Sequence, residues 1–318
     1  MLPRGNQIEL LFKDESAYGT LPTGNFTKTY IYSHGLEEKN PLEDDALLGQ
    51  ARNNDRDATA PVEGLPTHGG PMVVPLCLSH FGYWLKHALG APTTTGAPTD
   101  YQHIFTSGAA TLPSRSVEIK TPKQGGFLYM QHKGLMLNKL TLEASRAGNF
   151  QRVSLDILGQ KETKATSTGG GTPAAVLALD RVLARIGVFK VDTVVAELMS
   201  VNAAYDNKLK PLEYMGNDYV SGYDSDDNAT FTGSLRLRFK TEALYDQAIA
   251  KTNFAGELLF QRTSTRLISF ATANTRLERA GLPIGGPGGI EQTFNFRAEQ
   301  SAIAPMLTVT LKNGVASY

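Results

Sequence analysis

The amino-acid sequence predicts a mainly β protein built as two β units, each with one short helix. Residues 138–159, NKLTLEASRAGNFQRVSLDILG, alternate apolar and polar residues, turn on Ala147-Gly148-Asn149, and alternate again. Leu140 and Leu142 take one face and Lys139, Thr141 and Glu143 the other; Val153, Leu155 and Ile157 then alternate with Arg152, Ser154 and Asp156. A period of two in both arms is that of a half-buried antiparallel hairpin. The pattern returns beyond a Gly-rich stretch, in TVVAELMSV (193–201) and FTGSLRLRF (231–239), and two short segments carry a helical period.

Taken in order, residues 1–24 read as an N-terminal arm, apolar at 8–12 and then polar and marked by Gly and Pro. The first unit, residues 25–161, opens with a strand at 27–33. Residues 35–70, rich in Asp, Asn, Pro and Gly, read as a long loop of the kind that is functional or ordered by a partner. In PLCLSHFGYWLKHAL (75–89), Leu78, Phe81, Leu85 and Leu89 share a helix face, Pro75 suits the first helical position, and Gly90 followed by Pro92 is a stop signal. Strands around 103–106, 116–120 and 127–133 lead into the hairpin. ETKATSTGGGTPAA (162–175) reads as a linker. The second unit, residues 176–318, has strands at 193–201 and 231–239 separated by a long loop, 202–228. A helix at 242–250 follows, with Thr241 as N-cap, and then strands in GELLFQR, RLISFAT, QTFNFRA and MLTVTL. Residues 193–201 answer 138–145 and residues 231–239 answer 150–158. An internal duplication explains this economically, although two unrelated β units would share the same alternation.

The totals narrow the function. The chain has 318 residues, 41% of them hydrophobic, enough for one large core or two ordinary ones. Lys+Arg and Asp+Glu are both 31, which argues against a dedicated nucleic-acid binder and removes the charge repulsion that keeps copies apart. The single cysteine, Cys77, rules out a disulfide framework and reads as a core thiol. Neither a signal-peptide core nor a run near the ~20 apolar residues of a membrane span is found, so the expectation is a protein made in the cytoplasm without membrane insertion.

A search for chemistry returns little. The six histidines are scattered without metal-ligand spacing and read as surface or interface residues. GGG (169–171) and GGPGG (285–289) lack the Gly-Lys-Ser/Thr ending and the strand–helix setting of a phosphate cradle. YDSDDN (223–228) resembles a calcium loop in composition alone. Arg236, Arg238 and Lys240 read as a solvated strand face. The expectation is a non-enzyme with no cofactor and no metal.

ESAYGTLP (15–22), ALGAP (88–92), HIFTSG…LPSRSVEIK (103–120), KGLMLNKLTLEASRAGNFQRVSLDILGQKE (133–162), LPIGGPGGIEQTFNFRA (282–298) and LTVTLKN (307–313) come in the order of one family. The chain resembles the tail tube, or major tail, proteins of bacteriophages with long, non-contractile tails. The resemblance covers nearly the whole chain and rests on strand and turn patterns. It implies tail-tube-type β-sandwich or barrel domains, each with a short flanking helix. It also implies a virion protein whose copies form rings stacked into a conduit for genome DNA. A duplicated subunit would close as a trimer with pseudo-sixfold symmetry, the hexamer being the alternative. Implied partners are further copies of the chain, the tape-measure, tail terminator and distal tail proteins, and DNA in non-specific transit.

Within that resemblance Glu143, Asp156 and Glu197 are candidates for acidic groups facing the lumen; ordinary outer-surface charge is the competing reading. Leu11, Phe12, Tyr18, Leu47, Leu48, Tyr205, Tyr214, Tyr219 and Tyr223 are candidates for contacts between subunits or rings, tyrosine giving contact area with a polar handle. The arm and the two long loops are expected to be mobile in the free subunit and to order on stacking. The competing functions are a baseplate, distal-tail or fibre-associated β-sandwich that binds a ligand, and a β-sandwich hydrolase.

Overall fold

Strand structure reaches further than the hairpin pattern predicts: residues Gly126–Ser145 form one strand of 20 residues. The computed structural model describes residues 2–45, 60–225 and 227–318. In the first half the elements are β1 (Glu9–Asp14), β2 (Thr27–Thr29), β3 (Ser33–His34), β4 (Glu37–Lys39), β5 (Leu42–Glu43), β6 (Val62–Glu63), β7 (Thr67–Pro75), α1 (Phe81–Leu89), β8 (Thr93–Ala97), β9 (Asp100–Thr106), β10 (Arg115–Lys123), β11 (Gly126–Ser145), β12 (Arg152–Gly159) and β13 (Lys161–Ala165). The second half has β14 (Gly187–Val191), β15 (Val194–Ala196), β16 (Leu198–Asp206), β17 (Leu209–Pro211), β18 (Tyr223–Ser225), β19 (Thr230–Arg238), α2 (Ala243–Ala250), β20 (Phe254–Thr263), β21 (Arg266–Leu277), β22 (Glu291–Glu299) and β23 (Thr308–Asn313). The protein is mainly β, with antiparallel sheets and two α-helices among the described residues.

The two halves repeat the same connections in the same order. β10 and β11 make a hairpin, as do β20 and β21. β11 pairs with β13 through its first part and with β12 through its second, and β21 does the same with β23 and β22. β12 lies beside β7 and β22 beside β19, and a short helix follows β7 and β19 alike. β1 pairs with β10 and β2; β14 pairs with β20 and β15. β7 carries β3 and β4 on its outer side, where β19 carries β16. Among the described residues the hairpin β8–β9 has no counterpart, and it crosses to pair with β23 of the other half.

This equivalence corrects the repeat read from the sequence. β16 answers β3–β4 and β19 answers β7, while the hairpin β11–β12 is answered by β21–β22. The alternation has the same period in every half-buried strand, so pairing, not pattern, identifies the partner. β11 and β16 are neighbours in space, in register from Lys139↔Asp206 to Ser145↔Ser200. One sheet thus crosses both halves in the order β3/β4, β7, β12, β11, β16, β19, β22, β21.

One face of that sheet is apolar. Leu140, Leu142, Val153, Leu155 and Ile157 from the first half and Val201, Ala203, Tyr205, Leu235, Phe294 and Phe296 from the second are buried in a single core shared by both halves. Fully burying each Leu, Ile or Phe contributes about 1.5–3 kcal/mol. α1 presses Phe81, Trp84, Leu85 and Leu89 into this core, whereas α2 buries only Ala248 among its own residues.

Several sequence readings change. The arm contains β1, and Glu15 fixes the turn behind it: its carboxylate accepts hydrogen bonds from Ser114, Ser116 and the backbone N–H groups of Gly19 and Gly134, at 2.6–2.8 Å. The long loop 35–70 contains β4, β5, β6 and the start of β7. Gly70 makes this possible: its φ is 147°, and a Cβ there would strike the Gly35 carbonyl oxygen. Pro75 ends β7 instead of starting the helix, which begins at Phe81; α2 begins at Ala243, with Glu242 and not Thr241 at its N-cap. The linker 162–175 starts inside β13 and is tied down further on, since Thr168 Oγ1 and Gly169 N donate to the buried carboxylate of Glu118. The loop 202–228 contains the rest of β16 and the pair β17–β18.

Candidate functional site

The side of the shared sheet that faces away from the core is polar from one half to the other. Lys139, Glu143 and Ser145 of β11 and Arg152, Ser154 and Asp156 of β12 are exposed there. Asn202, Ala204 and Asp206 of β16, Ser234 and Arg236 of β19, and Thr293, Asn295 and Arg297 of β22 continue it. The alternation places these residues outward because their neighbours along each strand fill the core.

Register sets the electrostatics of this face. Lys139 lies between Asp156 and Asp206 on the two flanking strands. Arg236 Nη2 is 2.5 Å from Glu291 Oε2, and Arg276 Nη2 is 3.1 Å from Glu299 Oε1. In the middle, Thr141 has Ser154 and Ala204 opposite, and Ser234 has Asn202 and Asn295. The surface is short-chained and hydroxyl- or amide-bearing, with bases and acids interleaved.

Of the candidate lumen acids, Glu143 and Asp156 share this face. Glu197 stands apart, between β15 and β16, in an ion pair with Lys240. The bases of the face, Lys139, Arg152 and Arg297, are not among the lumen candidates, although the alternation already sets Lys139 with Glu143 and Arg152 with Asp156. The signal for them was present: they have the same parity as the acids on the same strands.

The contact candidates separate sharply. Leu11, Phe12 and Tyr205 are 3% exposed and belong to this chain's own core. Periodicity could not distinguish an apolar arm waiting for a partner from a strand already paired. Tyr18 is half-buried against Tyr223, their rings 6.4 Å apart, and burial pushes its hydroxyl pKa up. Tyr223 Oη donates to the Gly159 carbonyl at 2.8 Å, and Tyr219 Oη donates to Glu38 Oε1 at 3.2 Å, so both hold the 202–228 segment on the first half. Tyr214 stays exposed beside Met215, whose side chain is fully exposed. Leu47 and Leu48 lie outside the described residues.

The histidines correct the surface reading, since His68, His80, His87, His103 and His132 are all buried. Backbone carbonyls explain three of them: His87 Nε2 is 2.9 Å from Leu135 O, His80 Nε2 is 2.8 Å from Leu177 O, and His103 Nε2 is 2.9 Å from Val315 O. His68 Nε2 and His132 Nδ1 are 2.9 Å apart, with Glu162 Oε2 3.6 Å from the latter. These three side chains, from β7, β11 and β13, are the group among the described residues whose donors lie close enough to hold a metal ion, all within 4.8 Å. Burial pushes His68 down to about 4 and His132 to about 3, so both rings are neutral at pH 7 and a hydrogen bond between them satisfies one nitrogen of each. No helix among the described residues is long and apolar enough to cross a membrane.

A comparison with curated proteins finds no match. Residues 5–298, by contrast, match the family described as phage tail tube protein, which spans both halves and the sheet that joins them, and the chain belongs to that family.

Proposed function

We propose that this chain, a structural component of the virion tail that assembles with its own copies into a tube, lines the conduit for genome DNA with the polar face of its shared sheet. The observation that carries the reading is the composition of that face. DNA affinity grows with the number of phosphates neutralised by unopposed Lys and Arg. Here Lys139, Arg152 and Arg297 share the face with Glu143, Asp156 and Asp206, and Arg236 is engaged by Glu291, so the basic charge is offset by acids and not gathered into a phosphate-binding patch. Short polar side chains keep the wall wet and give DNA no clamp. Mixed charge replaces the acidic lining expected from Glu143 and Asp156 alone.

The two equivalent halves favour a ring of three copies with pseudo-sixfold symmetry over a ring of six. A duplication of an ancestral unit explains the repeated connections. Stacked rings would surround the tape-measure protein and meet the terminator and distal tail proteins at their ends. Electron microscopy of the purified protein over a range of concentration and salt tests this. Hollow stacked rings with threefold symmetry are expected; sixfold rings of single copies would refute the trimer, and a discrete particle under every condition would refute the tube.

A further inference from the structure

The seam between the two halves is a template for a contact the single chain leaves unmade. On the outer side of β7, the edge formed by β3 and β4 occupies the place that β16 has beside β19. At the far end of the sheet, the last part of β21 occupies the place that β11 has beside β12. Within the chain those two places are joined, β11 to β16. Among the described residues nothing pairs with the outer edge of 31–37, nor with 276–282 on the side away from β22. Each chain therefore ends its shared sheet in the two halves of a junction it has already made once internally.

The register transfers residue by residue. Leu140 is opposite Leu155 on β12 and Leu277 is opposite Phe296 on β22, which places Lys139 and Arg276 at equivalent positions. Ala203 is opposite Gly233 and His34 is opposite Met72, which places Asp206 and Glu37 at equivalent positions. We infer that residues 276–282 of one copy pair antiparallel with residues 31–37 of the next, Arg276 opposite Glu37 and Leu277 opposite Leu36. The inference rests on the tube reading and specifies how its ring closes.

Chemistry at the transferred positions agrees with the internal seam. Lys139 faces Asp206 there, and Arg276 would face Glu37, again a base against an acid. Leu140 faces Tyr205 on the core side, and Leu277 would face Leu36; both leucines are already 5% exposed, at the rim of the core. Arg276 and Glu37 are both solvent-exposed and carry only surface ion pairs, with Glu299 and Lys39, which exchange at little cost. The contact is head-to-tail, the two edges being different, so repeating it either closes a ring or propagates a filament. An uncapped edge is also one that strand-bearing proteins rarely leave open.

Glu143 is opposite Asn202 in the seam, which puts Ala280 opposite Ser33 of the next copy. Facing residues of antiparallel strands have Cα atoms about 4.5–5.5 Å apart, within disulfide reach. The double variant S33C/A280C should, on oxidation of assembled protein, give covalent dimers and trimers on a non-reducing gel. The misregistered pair S33C/R276C should not, and Cys77, being buried, stays silent. Single reversals E37R and R276E should each lower the assembled fraction about tenfold at fixed concentration, and the double reversal should restore it to within about threefold. Monomer melting temperature, unchanged in all five variants, reports that the fold is intact. Tubes seen by microscopy with no S33C/A280C cross-link, or with no rescue by the double reversal, would overturn the junction and leave the tube. Absence of any assembly in the unmodified protein would overturn both.

Discussion

Arg115 Nη2 lies 2.7 Å from Asp14 Oδ1, in an ion pair whose guanidinium has no solvent exposure. The guanidinium carbon is stacked 4.4 Å from the centre of the Phe12 ring, and Lys86 of α1 reaches the same carboxylate at 2.8 Å. Burial alone would raise the Asp14 pKa; the Arg115 and Lys86 charges outweigh it and hold the carboxyl down to about 2. The pair joins β1, β10 and α1, which is why the N-terminal segment is part of the body of the protein. Asp14→Asn should cost about 3–5 kcal/mol, because it leaves a buried cation without its counter-ion. Arg115→Met should cost less, since a thioether on the Phe12 ring replaces the charge. Urea unfolding of the two variants gives the order; equal losses would contradict this account.

The buried pair His68–His132 predicts an acid limit to stability. Both rings titrate below their ordinary 6.5, so beneath that pH the unfolded chain binds more protons than the folded one. Stability is complete above about pH 6.5 and falls as pH drops through about 4, by about 1.4 kcal/mol per pH unit for each histidine. The double variant H68Q/H132Q should flatten this slope between pH 6.5 and 4.5 in urea melts. An unaltered slope would place the acid sensitivity elsewhere.

Gly70→Ala should destabilise the edge of the shared sheet. The substitution puts a Cβ against the Gly35 carbonyl and forces a residue with a side chain to φ 147°. The expected loss is about 1–3 kcal/mol, with faster amide exchange confined to β3, β4 and β7. Uniformly raised exchange would instead indicate a global effect.

Tyr214 and Met215 form the exposed tip of the 202–228 segment. If rings stack through this tip, the variant Y214S/M215S keeps its melting temperature and its rings but yields shorter stacks in micrographs. Stacks of unchanged length would move the ring-to-ring contact to another surface.

The wall can be tested through its charge. Ser154→Lys with Asn202→Lys adds two bases to the polar face without touching the core. Tubes should form normally and retain short duplex DNA at low salt, where the unaltered protein does not, and release it as salt rises. Tubes that ignore DNA in both forms would argue that this face points outward.

The amino-acid order alone determined that the chain is β-rich and that Val153, Leu155 and Ile157 are buried while Arg152, Ser154 and Asp156 are not. These are local properties: a period of two states which residues share a face, whatever the neighbouring strand is. Only the tertiary structure decided which strands are neighbours. It set β11 beside β16 and not in correspondence with it, moved Leu11, Phe12 and Tyr205 from expected contacts into the core, and brought Lys139 between Asp156 and Asp206. His68 and His132, 64 positions apart, became hydrogen-bonded partners in the same way. Pairing between distant strands depends on register and burial summed over the whole sheet, and no short stretch of sequence carries that information.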